Sequence, residues 1–537
     1  MKPQAKPTSA KKIKKAQEAP DLSLKYWRVA CAAIVVGAAL LRLLYLTEKP
    51  LHHDEGVNGL FMASLFRRGF YHYDPANYHG PTLYYFGLLT TTLNSVLYGK
   101  YGLSTFAIRL VPALFGIGMV WLIFYFRRFI GTVGSLAAAL LTAVSPGFVF
   151  FSRYFIHEIL FVFFTLALVA AVMCFRETAR PLYLMLASVS AALLFATKET
   201  YIITVVVLLL ALLCTRLYMT LRGRFAPSSD EGKSRTSKAT VSQAKQNTDA
   251  SSKTRSRQWI AAGALFATVY ILFYSSFFTN FPKGIIDSVR TFGYWGKTGI
   301  TQYLSPWSTY LNWLMKEESP SMILGGLGIV VALYQARSRF AVFTAFWALG
   351  ITAAYSLLPY KTPWLAMNLL LPIIIMAGYV LGQWFDLGAR EKSPLLRVSA
   401  VLTLLVAVAA CSYQAIDLSF FSYDNDSIPY VYAHTRRDFL DMVDEIEAVA
   451  SRNPAGKSIG ITIMSPEHWP LPWYLRDYPN SGYFGTIVPT QEPIIVALEA
   501  QSEEIEKTMG TQYRRFHSYD LRPGNRLVLY LRRDVRP

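Results

Sequence analysis

About eleven runs of apolar residues, most of them close to the length that a helix needs to cross the ~30 Å hydrocarbon core of a bilayer, constrain this chain more than anything else in its sequence. They fall at roughly 29–46, 106–126, 133–150, 159–175, 182–197, 201–217, 259–278, 322–334, 340–357, 364–385 and 398–411. Backbone in hydrocarbon must satisfy its own hydrogen bonds, so such runs are read as transmembrane helices. An α-helical polytopic membrane protein follows, and a hydrophobic content of 53% over 537 residues leaves no room for an ordinary soluble enzyme.

The formal charge of +19 would point to nucleic acid in a soluble protein, but the cations lie in short stretches beside apolar runs. Arg127 and Arg128, Arg176 and Arg180, the stretch 222–257, Arg337 and Arg339, and Arg390, Lys392 and Arg397 occupy alternate connections. The positive-inside rule puts these in the cytoplasm together with the Lys-rich tail 1–28, and nucleic acid is not expected as a partner. The tail lacks the cleavage pattern of a signal peptide, so the first helix is expected to be retained in the plasma (inner) membrane. An odd number of spans then places the C-terminal part outside the cytoplasm. All four cysteines, Cys31, Cys174, Cys214 and Cys411, lie in apolar runs, with neither a disulfide framework nor zinc-finger spacing.

The expected domains are therefore the tail, a transmembrane domain over 29–415, and an extracytoplasmic α/β domain over 416–537. The linker 222–257 is expected to be disordered, because its core, 226–256, is rich in Ser, Thr, Lys and Gln and has almost nothing apolar to bury. The first outside segment, 47–105, carries short apolar stripes at 59–66 and 84–97 that suit interfacial helices, as does the second outside segment, 279–319. In the last domain, 439–450 reads as an amphipathic helix and 458–464, 493–498 and 526–531 as strands.

Ionisable residues near the membrane are costly, and here they gather on the outer side. His52, His53, Asp54 and Glu55 follow the first span; His79 shares their segment; His157 and Glu158 open the fourth span; Lys198 and Glu199 join the fifth to the sixth; Lys361 joins the ninth to the tenth. A carboxylate such as Asp54 at the membrane exit can take a proton from a hydroxyl and make its oxygen a better nucleophile. Glu158 can pair with Arg153 or approach Asp54. Lys198 and Lys361 run against the positive-inside bias and would suit an anion emerging from the bilayer, such as a lipid phosphate. His53, His79 and His157 are candidate ligands for a divalent metal cation, although no spacing among them is diagnostic. Glu467, His468, Trp469, Trp473 and Tyr474 form an aromatic and polar cluster that can either stack on a sugar or dock onto the membrane domain.

Several strings together resemble the GT-C membrane glycosyltransferases. They are His53-Asp54-Glu55 after the first helix, His79-Gly80-Pro81 followed by Tyr84 and Tyr85, Arg109 opening the second helix, and Ser152-Arg153 ahead of an acidic residue. The likeness is to the protein O-mannosyltransferase and aminoarabinose transferase branch. Tyr360-Lys361-Thr362-Pro363-Trp364 and Trp469-Pro470-Leu471-Pro472-Trp473-Tyr474-Leu475 further resemble the flippase-activity-associated membrane proteins.

The resemblance implies a polyprenyl-phosphate-linked sugar as donor, catalytic roles for Asp54, Glu55 and Glu158, and transfer to an acceptor hydroxyl of a protein, lipid or glycan. Glu158 departs from the Asp often found in the better-known branches. Lys361, Lys198 and Arg153 are the candidate donor-phosphate ligands, and His53, His79, Tyr360 and Trp364 the candidate acceptor or substrate contacts. Transfer without a covalent intermediate would invert the sugar. The rival from another class is a flippase or transporter component for lipid-linked sugars, although the paired broken helices of many transporters are missing from the sequence. A third reading is a catalytically silent scaffold that binds glycan or a partner.

Overall fold

The computed structural model describes residues 23–76, 79–99, 102–225, 241–298 and 305–536. The chain enters through α1 (Leu24–Leu43), runs through α2 (His53–Arg68) and α3 (Thr82–Tyr98), and returns through α4 (Thr105–Ile123), α5 (Arg127–Val144) and the short α6 (Pro146–Phe151). Next come α7 (Glu158–Thr178), α8 (Pro181–Phe195), α9 (Tyr201–Phe225), α10 (Val241–Tyr274), α11 (Lys283–Thr298) and α12 (Thr309–Glu317). The membrane part ends with α13 (Ser319–Gln335), α14 (Arg339–Leu357), α15 (Ala366–Arg390) and α16 (Pro394–Ile416).

Each expected apolar run falls on a helix. The run at 133–150 is broken at Ser145-Pro146, where the Ser145 hydroxyl caps α6 by accepting from the Phe148 N–H. Among the described residues, seven helical stretches are long and apolar enough to cross a membrane, and α8 and α13 are shorter apolar helices. One of the seven, Thr105–Val144, joins α4 and α5. The expected stripes at 59–66 and 84–97 lie within α2 and α3. On α3, Leu89, Leu93, Val96 and Leu97 are exposed, leaving an apolar face for the membrane interface.

Part of the expected linker lies outside the described residues. α9 continues to Phe225 and α10 begins at Val241, so helix takes up both ends of 222–257, while 226–240 lies outside the described residues.

α15 is the axis of the bundle. It is apolar on nearly every side, and 94% of its apolar stretch is buried, as a helix without a polar face requires. It packs against α5, α13, α14 and α16. Its contact with α5 depends on Gly378 and Gly382, one turn apart. A Cβ on Gly378 would stand 2.4 Å from the Gly134 carbonyl oxygen, and one on Gly382 would stand 2.9 Å from the Gly134 nitrogen. Small residues at this spacing let two backbones touch where no hydrophobic force pulls helices together in lipid.

Beyond a π turn at Asp417–Phe421 lies the last domain, with α17 (Asp438–Arg452), α18 (Leu471–Tyr474) and α19 (Ser502–Met509). Its five strands are β1 (Ile461–Ile463), β2 (Ser481–Tyr483), β3 (Ile494–Leu498), β4 (Tyr513–Arg522) and β5 (Asn525–Arg532), in the order β2-β1-β3-β5-β4. β2, β1 and β3 are parallel, and β5 turns the sheet antiparallel with β3 and β4. The expected helix and three strands are present. β2 and β4 carry mostly half-exposed, polar residues and gave no apolar signal.

Candidate active site

The two adjacent carboxylates that open α2 have opposite surroundings. His52 is the N-cap: its Nδ1 accepts from the Asp54 N–H at 3.1 Å, while Glu55 Oε2 accepts from the His52 N–H at 3.0 Å. This is a capping box with His where Ser or Thr is usual. Glu55 is fully buried and held by Arg109 of α4 through two parallel bonds, Nε to Oε1 at 2.8 Å and Nη2 to Oε2 at 2.7 Å. With the His52 N–H, the Phe155 N–H at 2.9 Å brings the hydrogen bonds to this carboxylate to four. Arg109 also donates to the carbonyls of Leu46, Lys49 and Pro50 at 2.9, 2.9 and 3.0 Å, so the chain leaving α1 is wrapped around one guanidinium. Burial disfavours ionised Glu55, but Arg109 outweighs it and holds the carboxyl below its ordinary value.

Neighbours in a helix lie about 100° apart around its axis, so fixing Glu55 inward turns Asp54 outward. The Asp54 side chain is 43% exposed. Around it, His52 Nε2 stands 3.0 Å from the Tyr432 carbonyl oxygen while Nδ1 accepts from Asp54. The two bonds together fix the neutral Nε2–H tautomer, and burial holds the His52 pKa below its usual value. Trp364 and His434 lie against the His52 ring, with centroids 5.8 and 4.9 Å away. His53 faces Trp469 at 5.8 Å, and its imidazole is pushed down to about 4, chiefly by burial. The Tyr360 phenol is pushed up to about 12 by burial and by the charges of Tyr432, Asp54 and Glu158.

A second polar cluster adjoins this one. Lys198 is ion-paired with Glu158, both nearly fully buried, and His79 Nδ1 lies 3.0 Å from Glu199 Oε2. The Gly80 carbonyl meets His157 Nε2 at 3.0 Å, and the Gly80 N–H donates to the Thr197 carbonyl at 3.1 Å. A Cβ on Gly80 would stand 2.1 Å from the Ala196 carbonyl oxygen, so the glycine in His79-Gly80-Pro81 is required by this close approach.

Three expectations change. Glu158 pairs with Lys198, not with Arg153. Arg153 instead donates to the carbonyls of Leu41, Leu44 and Tyr45 at 3.1, 2.6 and 2.8 Å, closing the C-terminus of α1. Lys361 gives its three protons to the carbonyls of Tyr355, Ser356 and Leu358 at 3.1, 3.0 and 2.8 Å, so it brings charge to the end of α14 with no hydrogen bond left over. The metal set does not converge: His79 and His157 are neighbours, with ring centroids 5.3 Å apart, but His53 faces the C-terminal domain. Among the described residues no group of three His, Cys, Asp or Glu side chains could hold a metal ion.

The aromatic cluster of the last domain takes the docking alternative. The Leu51 N–H donates to the Tyr474 hydroxyl at 2.9 Å, and Trp473 Nε1 donates to Thr105 Oγ1 at 3.2 Å. The docking surface is cut by glycines. A Cβ on Gly56 would be 2.7 Å from Pro470 Cβ, and one on Gly59 would be 2.6 Å from Trp473 Cε3. Docking brings residues that sequence reasoning missed to the rim of the site, foremost Arg522, which donates to the Trp469 carbonyl at 2.9 Å and pairs with Glu467 at 3.3 Å. Tyr432 and His434 were missed as well; they follow the last span with no motif to mark them. Lys49 is another, a buried ammonium 3.7 Å from the centre of the Tyr154 ring.

Residues 78–226 match the family described as dolichyl-phosphate-mannose-protein mannosyltransferase. No curated protein matches the chain in sequence. Among solved structures, ArnT from Cupriavidus metallidurans in the apo state superposes with a TM-score of 0.63 at 14% identity, over 95% of this chain and 98% of that one. ArnT bound to undecaprenyl phosphate superposes over the same shares with a TM-score of 0.61 at 14% identity. Agreement over nearly the full length of both chains, at an identity too low to speak for chemistry, means that this chain has the fold of ArnT.

Proposed function

We propose that the chain is a glycosyltransferase of the plasma (inner) membrane that moves a sugar from a polyprenyl-phosphate donor to an acceptor hydroxyl at the extracytoplasmic face. The reading rests on one observation above all: of two adjacent carboxylates, Glu55 is locked by Arg109 and Asp54 is left half-exposed beside aromatic rings. Asp54 takes the proton of the acceptor hydroxyl as its oxygen attacks the sugar C1. The bond from C1 to the phosphate oxygen breaks, its electrons leave with the polyprenyl phosphate, and direct displacement inverts the sugar. Glu55 is a positioning residue that fixes the start of α2. Glu158 and Lys198 furnish the adjoining polar wall, the charge of Lys361 lies at its edge, and His53, His79, Tyr360 and Trp364 line the approach for donor and acceptor.

The fold shared with an ArnT solved with undecaprenyl phosphate supports a polyprenyl donor here. The test incubates the purified chain in nanodiscs with radiolabelled polyprenyl-phosphate sugars and a membrane extract as acceptor source. Label passing to a new product supports transfer. Donor consumed in no variant of sugar or acceptor, with the lipid merely changing leaflet, would put a flippase in its place.

A further inference from the structure

At the end of the bundle remote from Asp54 lies a cleft of about 660 Å³ between α5, α7, α9 and α14. α7 spans the distance between the two ends: Glu158 begins it near the site, and Arg176 lies 18 residues on, about 27 Å away at the rise of an α-helix. Each of the four helices brings one arginine to the rim, namely Arg128, Arg176, Arg216 and Arg339. The only acidic side chain lining the cleft is Glu177, which is spent on Arg128 at 2.9 Å. Arg176, Arg216 and Arg339 have no hydrogen-bond or ion-pair partner among the described residues.

Their placement favours an anion. Arg339 is the first residue of α14, where the helix dipole favours an anion and disfavours a cation. Unpaired guanidinium groups converging on one cleft repel one another. The floor beneath them is apolar: Met173, Phe340 and Phe343 are buried, and Phe129 stacks on Phe340 with centroids 4.9 Å apart. A cationic rim above an apolar floor, at the level where a span leaves the bilayer, has the two-part chemistry of a lipid headgroup with the start of its chains.

We infer that this cleft is a specific binding site for an anionic phospholipid of the cytoplasmic leaflet, its phosphate held by Arg176, Arg216 and Arg339. The site is separate from the transfer chemistry and stands whether or not the chain is a transferase.

The experiment uses the purified full chain in detergent, titrated with dioleoylphosphatidylglycerol against dioleoylphosphatidylcholine and read by native mass spectrometry and by thermal melting. The expected result is one saturable phosphatidylglycerol and a rise in Tm that phosphatidylcholine does not give. In Arg176→Gln/Arg216→Gln/Arg339→Gln, binding falls about ten-fold or more, whereas Arg390→Gln/Lys392→Gln, outside the cleft, binds as the wild type. The three arginines are exposed, so their replacement leaves folding intact, and Arg216→Gln alone serves as a milder variant. Equal loss in both multiple variants, or non-saturable binding, means general attraction to headgroups and overturns the proposal. Inorganic phosphate that displaces the lipid at equal concentration would make the cleft a site for a free anion and would overturn it as well.

Discussion

Glu55 and Arg109 are joined by two parallel hydrogen bonds of 2.8 and 2.7 Å with both side chains fully buried, and this pair aims the neighbouring Asp54 out of the protein. One residue of a two-carboxylate string is thereby held in a buried ion pair, and the other is left half-exposed.

Asp54→Asn is expected to lose transfer by about two to four orders of magnitude, because the amide keeps the size of the carboxylate but cannot take a proton. Donor binding and the melting temperature should remain near those of the wild type, since the side chain is half-exposed. Single-turnover transfer and donor affinity in nanodiscs check both halves. Unaltered transfer would remove Asp54 from the mechanism.

Glu55→Gln or Arg109→Ala should behave in another way. Each leaves a buried charge without its partner, which costs about 3–5 kcal/mol. Both variants should therefore melt well below Asp54→Asn. A Glu55→Gln protein with wild-type stability and no transfer would reverse the roles assigned to the two carboxylates.

The low pKa of His53 makes the site sensitive to acid. With a folded value of about 4 against an ordinary 6.5, the unfolded chain binds the proton more readily. The stability from this residue is complete above pH 6.5 and is lost as the pH falls towards 4. Glu55, also lowered, adds a further loss below its ordinary 4.5. Melting temperature should fall between pH 6.5 and 4, and His53→Gln should flatten that part of the profile; an unchanged slope would count against the assignment.

Gly59→Ala should loosen the C-terminal domain. The added methyl meets the Trp473 ring at 2.6 Å, and overpacking of this kind costs about 1–3 kcal/mol. Faster proteolytic release of the domain, with a red shift in Trp emission, is the expected readout, and an unchanged digestion pattern would show that the contact yields without cost.

Topology can be tested apart from chemistry. A reporter in the linker at 238 should report the cytoplasm, and one after Leu531 the opposite side. The same side for both would move the carboxylates to the cytoplasmic face.

Much of the fold was legible in the sequence because its signals are local. Apolar runs of spanning length mark helices wherever they later pack, and alternating Lys and Arg stretches mark the connections. Asp54, Glu55, Glu158, Lys198 and Lys361 were legible as costly charges near a membrane. Their division of labour was not, because it is decided by contacts distant in the chain. Arg109 reaches Glu55 across 54 residues, and Arg153 reaches the end of α1 across more than a hundred. Hydropathy also cannot tell which helix is central: α15 and α16 read alike, yet 94% of the first stretch and 17% of the second is buried. The glycine contacts between α5 and α15 make that difference. The sequence by itself determined which segments enter the membrane and where charge collects, since both follow from the cost of placing a group in hydrocarbon. Only the tertiary structure decided which carboxylate is free, which cations are already spent and that Trp469 and Arg522 border the site, because each depends on a partner that the chain order does not name.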